Sequence, residues 1–379
     1  MKITIAIDSF KGSLSTFRAG EAIAEGAKAV YPDADVSICP MADGGEGTVD
    51  AIIGAMGGEM VEVTVCNPLG KPIKSSYGVI PDSQTAIIEM SAAAGITLID
   101  EKERNPLNTT TYGVGEMIAD AIAKGCRKFV VGIGGSATND GGVGMLQALG
   151  FEFLDENGNQ TALGGIGLES IKEITTENAL AALEDCTFCI ACDVKNPLCG
   201  EQGCSAVYGP QKGATPEIIK EMDKWLESYA ELTKKVNPDS DKNIPGTGAA
   251  GGLGFAFLSY LNGKLESGVD LVIRETELEK YIKEADVVVT GEGRLDGQSY
   301  MGKAPIGVAK LAKKHKKPVI AFSGCVTEDA VLCNEHGIDA YFLILQKPCS
   351  LAEAMDEENA YKNLKATSQQ VFRLIKAVK

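Results

Sequence analysis

Short apolar runs and segments of helical periodicity alternate along the N-terminal part of the chain. Residues 3–8 (ITIAID) form a continuous apolar run, typical of a strand buried on both faces of a parallel sheet. Apolar positions from Ala19 to Val30 recur at helical spacing. The run VSIC then leads through PMADGGEGT into a second amphipathic helix that Gly57 and Gly58 close. This order predicts strands and helices alternating around a parallel sheet.

The pattern changes after residue 58. Residues 59–90 alternate between apolar and polar positions, with turn signals at 67–70 and 81–82, which predicts an antiparallel meander. A helix over 114–122 then leads into the strand FVVGIGG. Residues 151–245 are less regular, and we expect hairpins and exposed helices there.

From Ala285 the strand–helix rhythm returns, with strands predicted at ADVVVTG, PVIAFSG and AYFLIL and a closing amphipathic helix. We therefore predict an α/β protein of two domains. Residues 1–68 and 283–379 would form a discontinuous, mostly parallel sheet of the Rossmann or flavodoxin-like type. Residues 69–282 would form an inserted mixed α/β domain. The active site is expected in the cleft between them, because such sheets bind ligands at the carboxyl ends of their strands.

Composition and charge narrow the classes of function. The 379 residues include 44% hydrophobic and 23% charged positions, an ordinary balance for a soluble globular protein. A formal net charge of −16 argues against nucleic acid as a partner, although a small anion needs only a local basic pocket. No apolar stretch approaches the ~18 residues of a membrane span, so we expect a cytoplasmic protein, monomeric or homodimeric, that binds no membrane.

The 11 cysteines are expected to be reduced in that compartment. Cys186, Cys189 and Cys192 nearly match the iron–sulfur run C-x₂-C-x₂-C-x₃-C-P, but Asn196 replaces the fourth ligand. The segment is also typical of a strand, which would direct alternate side chains to opposite faces. We interpret these cysteines as structural thiols.

The stretch VVGIGGSATNDGGVGM, residues 130–145, follows an apolar strand with a glycine cluster. It contains G-x-G-x-x-A at Gly132, Gly134 and Ala137, so an NAD-dependent hydroxy-acid dehydrogenase is one alternative. Asp140 would repel a bare pyrophosphate, but Mg²⁺ removes that objection because it bridges carboxylates and phosphate oxygens. The structural alternatives are a turn rich in glycine for tight packing, and a helix-capping role for Asp140.

A second cluster, GEGRLDGQS, places Glu292, Arg294 and Asp296 directly after an apolar run. Arginine grips carboxylates in a bidentate manner, and an aspartate can accept a hydroxyl proton. The alternative is an ion-paired loop without function. Downstream, GQSYMGKA is an incomplete P-loop whose Lys303 can meet an anion at a helix start. Asp193 ends another strand and is the competing base.

Two further features of the sequence give weaker indications of a functional site. PGTGAAGGLG, residues 245–254, is either an anion-binding nest or a device for close helix packing. The two histidines lie away from every glycine-rich loop, so histidine acid–base chemistry and His-ligated zinc have little support.

Together the motifs DSFKGSLS, PMADGGEGT, NPLG, EMSAAAGI, GGSATNDGG, ACDVKNPL, GPQKGA and GEGRLDGQS…GKAP resemble the bacterial type-1 glycerate kinases over nearly the whole chain. The resemblance implies an ATP-dependent kinase acting on D-glycerate, in most such enzymes at the 2-hydroxyl, with the 3-hydroxyl as the alternative. It also implies one flavodoxin-like domain and one domain similar to the restriction-endonuclease core.

From the loop chemistry and this resemblance we predict ATP and Mg²⁺ as cofactors and assign roles to sixteen positions. They are catalytic (Asp296, Asp193, Lys11), substrate-binding (Arg294, Asp8, Lys303, Ser91), nucleotide- or phosphate-binding (Gly134, Gly135, Ser136, Asn139, Lys212) and metal-binding (Asp140, Asp43, Glu46, Glu292). The sequence leaves open which aspartate is the base and which holds the metal.

Overall fold

The computed structural model describes residues 1–45, 47–297 and 299–378, which form an α/β fold. Its strands, in chain order, are β1 (Lys2–Ile5), β2 (Asp35–Ile38), β3 (Glu59–Cys66), β4 (Pro72–Ile80), β5 (Thr85–Glu89), β6 (Lys128–Gly132), β7 (Glu152–Leu154), β8 (Glu173–Thr175), β9 (Thr187–Ala191), β10 (Lys264–Glu266), β11 (Val287–Leu295), β12 (Val319–Val326) and β13 (Ala340–Leu343).

The helices follow the amphipathic segments of the sequence. In chain order they are α1 (Thr16–Lys28), α2 (Thr48–Met56), α3 (Ser91–Ala94), α4 (Tyr112–Ala123), α5 (Val143–Ala148), α6 (Cys204–Tyr208), α7 (Pro216–Val236), α8 (Leu253–Tyr260), α9 (Gly268–Glu275), α10 (Leu278–Glu284), α11 (Ala304–Lys314), α12 (Leu332–Glu335), α13 (Leu351–Met355) and α14 (Glu357–Val378). None of the described helices combines the length and the apolar character that a bilayer crossing requires.

The first of two compact units contains Met1–Asp43, Asp50–Met56 and Val269–Lys379. Its sheet has the strand order β13-β12-β11-β1-β2, and every pairing is parallel. The predicted parallel sheet shared by both chain ends is therefore confirmed. Helices α1 and α14 pack closely against each other: a Cβ at Gly26 of α1 would lie 1.9 Å from Ser368 Oγ of α14, so this contact requires glycine.

The second unit contains Gly44–Val49 and Gly57–Gly268. Its mixed sheet has the order β10-β9-β6-β5-β4-β3. The pairs β3–β4 and β4–β5 are antiparallel, which confirms the predicted meander, whereas β5, β6, β9 and β10 pair in parallel. The less regular region includes the short antiparallel pair β7–β8 and the long helix α7.

The compact units divide the chain at other points than residues 68 and 283, the expected boundaries. β3 pairs with β4 over its whole length, so residues 57–68 belong to the second unit. At the other boundary, Thr4 Oγ1 donates to the carbonyl of Tyr281, and a Cβ at Gly307 would collide with Val269. Residues 269–282 therefore belong to the first unit. These pairings join residues far apart in sequence, which a linear pattern does not reveal.

Candidate active site

A cavity of about 730 Å³ lies in the first unit, beside the carboxyl ends of β1 and β11. This is the edge at which open parallel sheets bind ligands. One end of the cavity is polar and the other is apolar. The charged residues that line the polar end are Asp8, Lys11, Glu292, Arg294, Asp296 and Lys303.

The motif GEGRL extends β11 instead of forming the loop that the sequence predicts. Glu292 pairs in register with Ser323 of β12, and Arg294 pairs with Cys325. Gly291 is needed at the start of this extension, because a Cβ there would lie 2.1 Å from the carbonyl oxygen of Phe322. Glu292 is buried and Arg294 is exposed. The strand therefore holds the carboxylate and the guanidinium at different depths.

Asp8 is the most perturbed of the carboxylates at this edge. It is 4% exposed and accepts a hydrogen bond of 2.7 Å from the Ser9 N–H. Burial raises the pKa of Asp8 to about 7, and the negative charge of Asp43 adds to the rise. The Ser9 hydrogen bond and the positive charge of Lys11 oppose it. Asp8 is therefore a carboxyl group that changes charge near neutral pH inside a cavity.

Two lysines partner the other acids of the cluster. Lys11 Nζ lies 2.9 Å from Asp43 Oδ2. Burial alone would lower the pKa of Lys11, but the charge and hydrogen bond of Asp43, together with the charges of Asp8 and Glu292, raise the pKa above its usual value. Lys303 stands at the N-cap of α11, as predicted, with Nζ 3.9 Å from Glu292 Oε2.

Glu292 is also bound by a residue that the sequence analysis did not select. The Ser299 hydroxyl donates to Glu292 Oε1, while burial raises the pKa of Glu292 against the effects of Ser299 and Lys303. No pattern in the sequence marks Ser299, because the contact depends on a turn that brings residue 299 back onto β11. Beyond it, Arg294 Nε lies 3.2 Å from Asp296 Oδ2, so the ion pair considered above is present.

The loop after β6 in the second unit has a different character. Asp140 is fully buried. Its Oδ2 accepts from Thr111 N (2.8 Å), Thr111 Oγ1 (2.9 Å) and Gly144 N (3.3 Å), and its Oδ1 accepts from Gly142 N (3.1 Å). Burial raises the pKa of Asp140 and these hydrogen bonds oppose the rise. The Asp140 carboxylate thus accepts four hydrogen bonds within the fold, from Thr111 and from the backbone of its own loop.

Lys212 and Asn139 also serve the interior of this loop. Lys212 is 2% exposed, and its Nζ donates to Ser136 Oγ (2.7 Å) and to the Thr138 carbonyl (2.6 Å). Burial lowers the pKa of Lys212 to about 8. Asn139 Nδ2 donates to Ser205 Oγ at 2.8 Å. These contacts stabilise the loop from inside the protein, and the side chains of Lys212, Asn139 and Ser136 are all buried.

Gly134 and Gly135 are the exposed tip of the same loop. In the described part of the chain their N–H groups donate no hydrogen bond. Ser91, at the start of α3, lies beside this tip, since a Cβ at Gly135 would be 3.7 Å from Ser91 Cβ. Asp193 is exposed and its Oδ1 accepts from Gly268 N at 3.1 Å.

The glycine-rich entry to α8 packs against this loop. Gly141 N donates to the Gly251 carbonyl at 2.9 Å, and a Cβ at Gly251 would lie 2.1 Å from the Thr138 carbonyl oxygen. The backbones approach too closely for any larger residue. Of the two interpretations of residues 245–254, the structure supports close packing.

The structure thus divides the predicted residues into two groups. The first unit holds Asp8, Lys11, Asp43, Glu292, Arg294, Asp296 and Lys303, and the second holds Ser91, Gly134, Gly135, Ser136, Asn139, Asp140, Asp193 and Lys212. Glu46, predicted to bind metal, lies outside the described residues.

The described side chains contain no group of three or more His, Cys, Asp or Glu residues arranged to hold a metal ion. Cys186 is buried beside β9, and Cys189 and Cys192 are half-buried. His315 contacts Glu279 at 2.7 Å, away from the cavity described above.

The fold and the cavity define an α/β enzyme with clustered acids and bases at the carboxyl edge of a parallel sheet, and the comparisons give its class. The model of the glycerate kinase family matches residues 3–376. The chain is 47% identical to a glycerate kinase of Haemophilus influenzae, over 99% of both chains. It is 45% identical to the glycerate 2-kinase of Escherichia coli, over 98% of this chain and 97% of that one.

A solved structure agrees with these relatives. A candidate glycerate kinase 2 from Salmonella typhimurium LT2 superposes with a TM-score of 0.92 at 44% identity, over 100% of this chain and 98% of that one. The chain belongs to the glycerate kinase family and is an enzyme of the kinase class. This result replaces the dehydrogenase alternative.

Proposed function

We propose that this enzyme transfers the γ-phosphoryl group of ATP, in the presence of Mg²⁺, to the 2-hydroxyl of D-glycerate. The names of the relatives support glycerate as the acceptor, and the name of the Escherichia coli relative favours the 2-hydroxyl. The observation that carries the proposal is the first-unit cavity, where a buried carboxyl group lies among lysine and arginine side chains. The 3-hydroxyl remains the alternative acceptor atom.

Asp8 is the base that the geometry favours. A general base works best when its pKa is near the operating pH, and burial raises the pKa of Asp8 to about 7. Asp8 then accepts the hydroxyl proton as the oxygen attacks the phosphorus. Asp296, predicted as the base, is ion-paired with Arg294 in the same cavity. Asp193 is the third contender and lies on the second unit.

The basic residues of the cavity suit the anionic groups of both substrates. Arg294 and Lys303 would hold the glycerate carboxylate, since a guanidinium binds carboxylates through paired N–H groups. Lys11 would neutralise charge on the transferred phosphoryl group, which is the main demand of this reaction. In the second unit, the exposed N–H groups of Gly134 and Gly135 are the proposed phosphate donors, and Ser91 beside them is a polar contact for substrate.

The carboxylates Asp43 and Glu292 fit Mg²⁺, which prefers oxygen ligands. Mg²⁺ is usually bound through one or two carboxylates together with substrate phosphates, so a larger preformed cluster is not needed. When bound, the ion neutralises phosphate charge and orients the nucleotide. Asp140 does not fit this role, because protein donors already occupy its buried carboxylate.

A coupled assay tests both the activity and the acceptor atom. Purified protein should release ADP only when ATP, Mg²⁺ and glycerate are all present. Added enolase should then convert the product directly to phosphoenolpyruvate, because enolase acts on 2-phosphoglycerate. A product that needs a phosphoglycerate mutase before enolase would assign the 3-hydroxyl. Absence of ADP release at any glycerate concentration would refute the kinase proposal.

A further inference from the structure

The apolar end of the first-unit cavity has no role in the proposal above. It is formed by the end of the edge strand β13 and by helix α13, which begins after the Ser350–Glu353 capping box. The side chains that line it are Leu343, Leu345, Leu351, Ala354 and Met355. Leu351 is 78% exposed and Leu343 is 46% exposed. Exposed apolar side chains grouped around a cavity often mark a ligand site.

Helix α13 is fixed against the loop that carries the charged residues. A Cβ at Gly12 would lie 3.0 Å from Met355 Cε, so α13 packs on the segment that follows Asp8. The polar and apolar surfaces are therefore two ends of one cavity. A ligand that fills it needs an anionic part and an apolar part.

Of the two substrates of a glycerate kinase, glycerate is a small acid without an apolar body. The nucleotide combines a flat, weakly polar base with a chain of phosphates. A cavity of about 730 Å³ also falls in the range, roughly 300–1,000 Å³, of pockets that enclose larger organic ligands. Only the nucleotide matches both ends.

We propose that the base and ribose of the nucleotide bind against the apolar wall formed by Leu343, Leu345, Leu351, Ala354 and Met355. The phosphates then extend toward Lys11. This inference rests on the proposed kinase function and assigns the part of the cavity that recognises the nucleoside.

A pair of tryptophan variants on one helix tests the inference. Ala354→Trp places an indole inside the wall, whereas Ala352→Trp places it at an exposed position of α13 outside the cavity lining. Binding of ATP, ADP and adenosine would be measured by calorimetry, and the glycerate KM by the coupled assay. We expect Ala354→Trp to raise all three dissociation constants by about tenfold or more, the loss of a good apolar contact. The glycerate KM of Ala354→Trp and every constant of Ala352→Trp should stay near wild type.

Leu351→Ser is the second variant, because an exposed leucine can be replaced without disturbing the core. It should weaken adenosine and ATP binding by a similar ratio and leave tripolyphosphate binding unchanged. If Ala354→Trp fails to fold in thermal melts, Leu351→Ser decides alone. Unchanged adenosine binding in the folded variants, or a raised glycerate KM with normal ATP binding, would overturn the inference. A wild-type protein that phosphorylates glycerate but does not bind adenosine would overturn it while leaving the kinase function intact; loss of phosphorylation itself would refute the function instead.

Discussion

Asp8 in the first unit and Asp140 in the second follow buried strands of their sheets, and both are almost fully removed from solvent. Their partners differ. Asp140 accepts hydrogen bonds from Thr111, Gly142 and Gly144 through both carboxylate oxygens. Within the described residues Asp8 accepts one hydrogen bond, from Ser9 N. The negative charges of Asp43 and Glu292 also raise the pKa of Asp8.

The lysines of the two regions show the same contrast. Lys212 is enclosed and donates to two oxygens of the loop that it supports. Lys11 is more than half exposed, with one carboxylate partner at the cavity edge. A buried polar group whose partners are complete contributes to the fold, whereas one whose partners are incomplete is available to a ligand. We therefore expect the two similar glycine-acid motifs to serve different purposes.

The largest effect that tests this contrast is expected on turnover. Asp8→Asn removes the proton acceptor, and general-base loss lowers kcat by roughly 10²–10⁴-fold. Asp296→Asn and Asp193→Asn are the matched comparisons in the ADP-release assay. A normal kcat for Asp8→Asn, with a large loss in either comparison variant, would move the base to that aspartate.

Asp8→Asn should stabilise the fold at alkaline pH. The ordinary pKa of an aspartate is 3.8, and the pKa of Asp8 in the folded protein is about 7. The contribution of this group to the free energy of unfolding is therefore fully present below pH 4 and is lost as the pH rises through about 7. At pH 8 the wild type bears a buried charge that the variant lacks. The expected gain is at most ~4 kcal/mol, from 1.36 kcal/mol per pKa unit.

Urea unfolding of wild type and Asp8→Asn at pH 4, 6 and 8 measures this effect. The difference between the two proteins should grow with pH. A difference that is constant across the three values would show that Asp8 does not titrate with a raised pKa.

Asp140→Asn should show the opposite balance. The amide nitrogen would face N–H donors of the loop, and an unsatisfied buried group costs ~1–3 kcal/mol. We expect a lower free energy of unfolding, near-normal kcat per folded molecule and unchanged Mg²⁺ dependence. Asp100→Asn, at an exposed position of the same unit, is the control and should be neutral. A shifted Mg²⁺ titration with a normal melting temperature would restore Asp140 as a metal ligand.

The smallest effect is predicted for Arg294→Lys. The lysine keeps the positive charge but loses the paired N–H geometry, so the glycerate KM should rise about tenfold, or ~1.4 kcal/mol. kcat and stability should change little, because Arg294 is exposed and its ion pair with Asp296 is weak at the surface. A tenfold rise in the ATP KM instead would place Arg294 on the nucleotide.

The sequence alone determined the strands of the first unit, the meander of the second and the family. These depend on local periodicity and on motifs, which the order of residues contains directly. The sequence also indicated that Asp8, Glu292 and Arg294 are candidate site residues at the ends of strands. It did not show that β11 continues through Leu295 or that Ser299 holds Glu292.

Only the tertiary structure decided which glycine-acid loop lines a cavity and which loop is buried in the interior. Asp140 is anchored by Thr111 from a distant segment, and Asp8 shares its cavity with Leu351 and Met355 from near the other chain end. Burial and the supply of hydrogen-bond partners set the pKa and the availability of a carboxylate. Both depend on residues that folding brings together, so similar local motifs can acquire different chemistry.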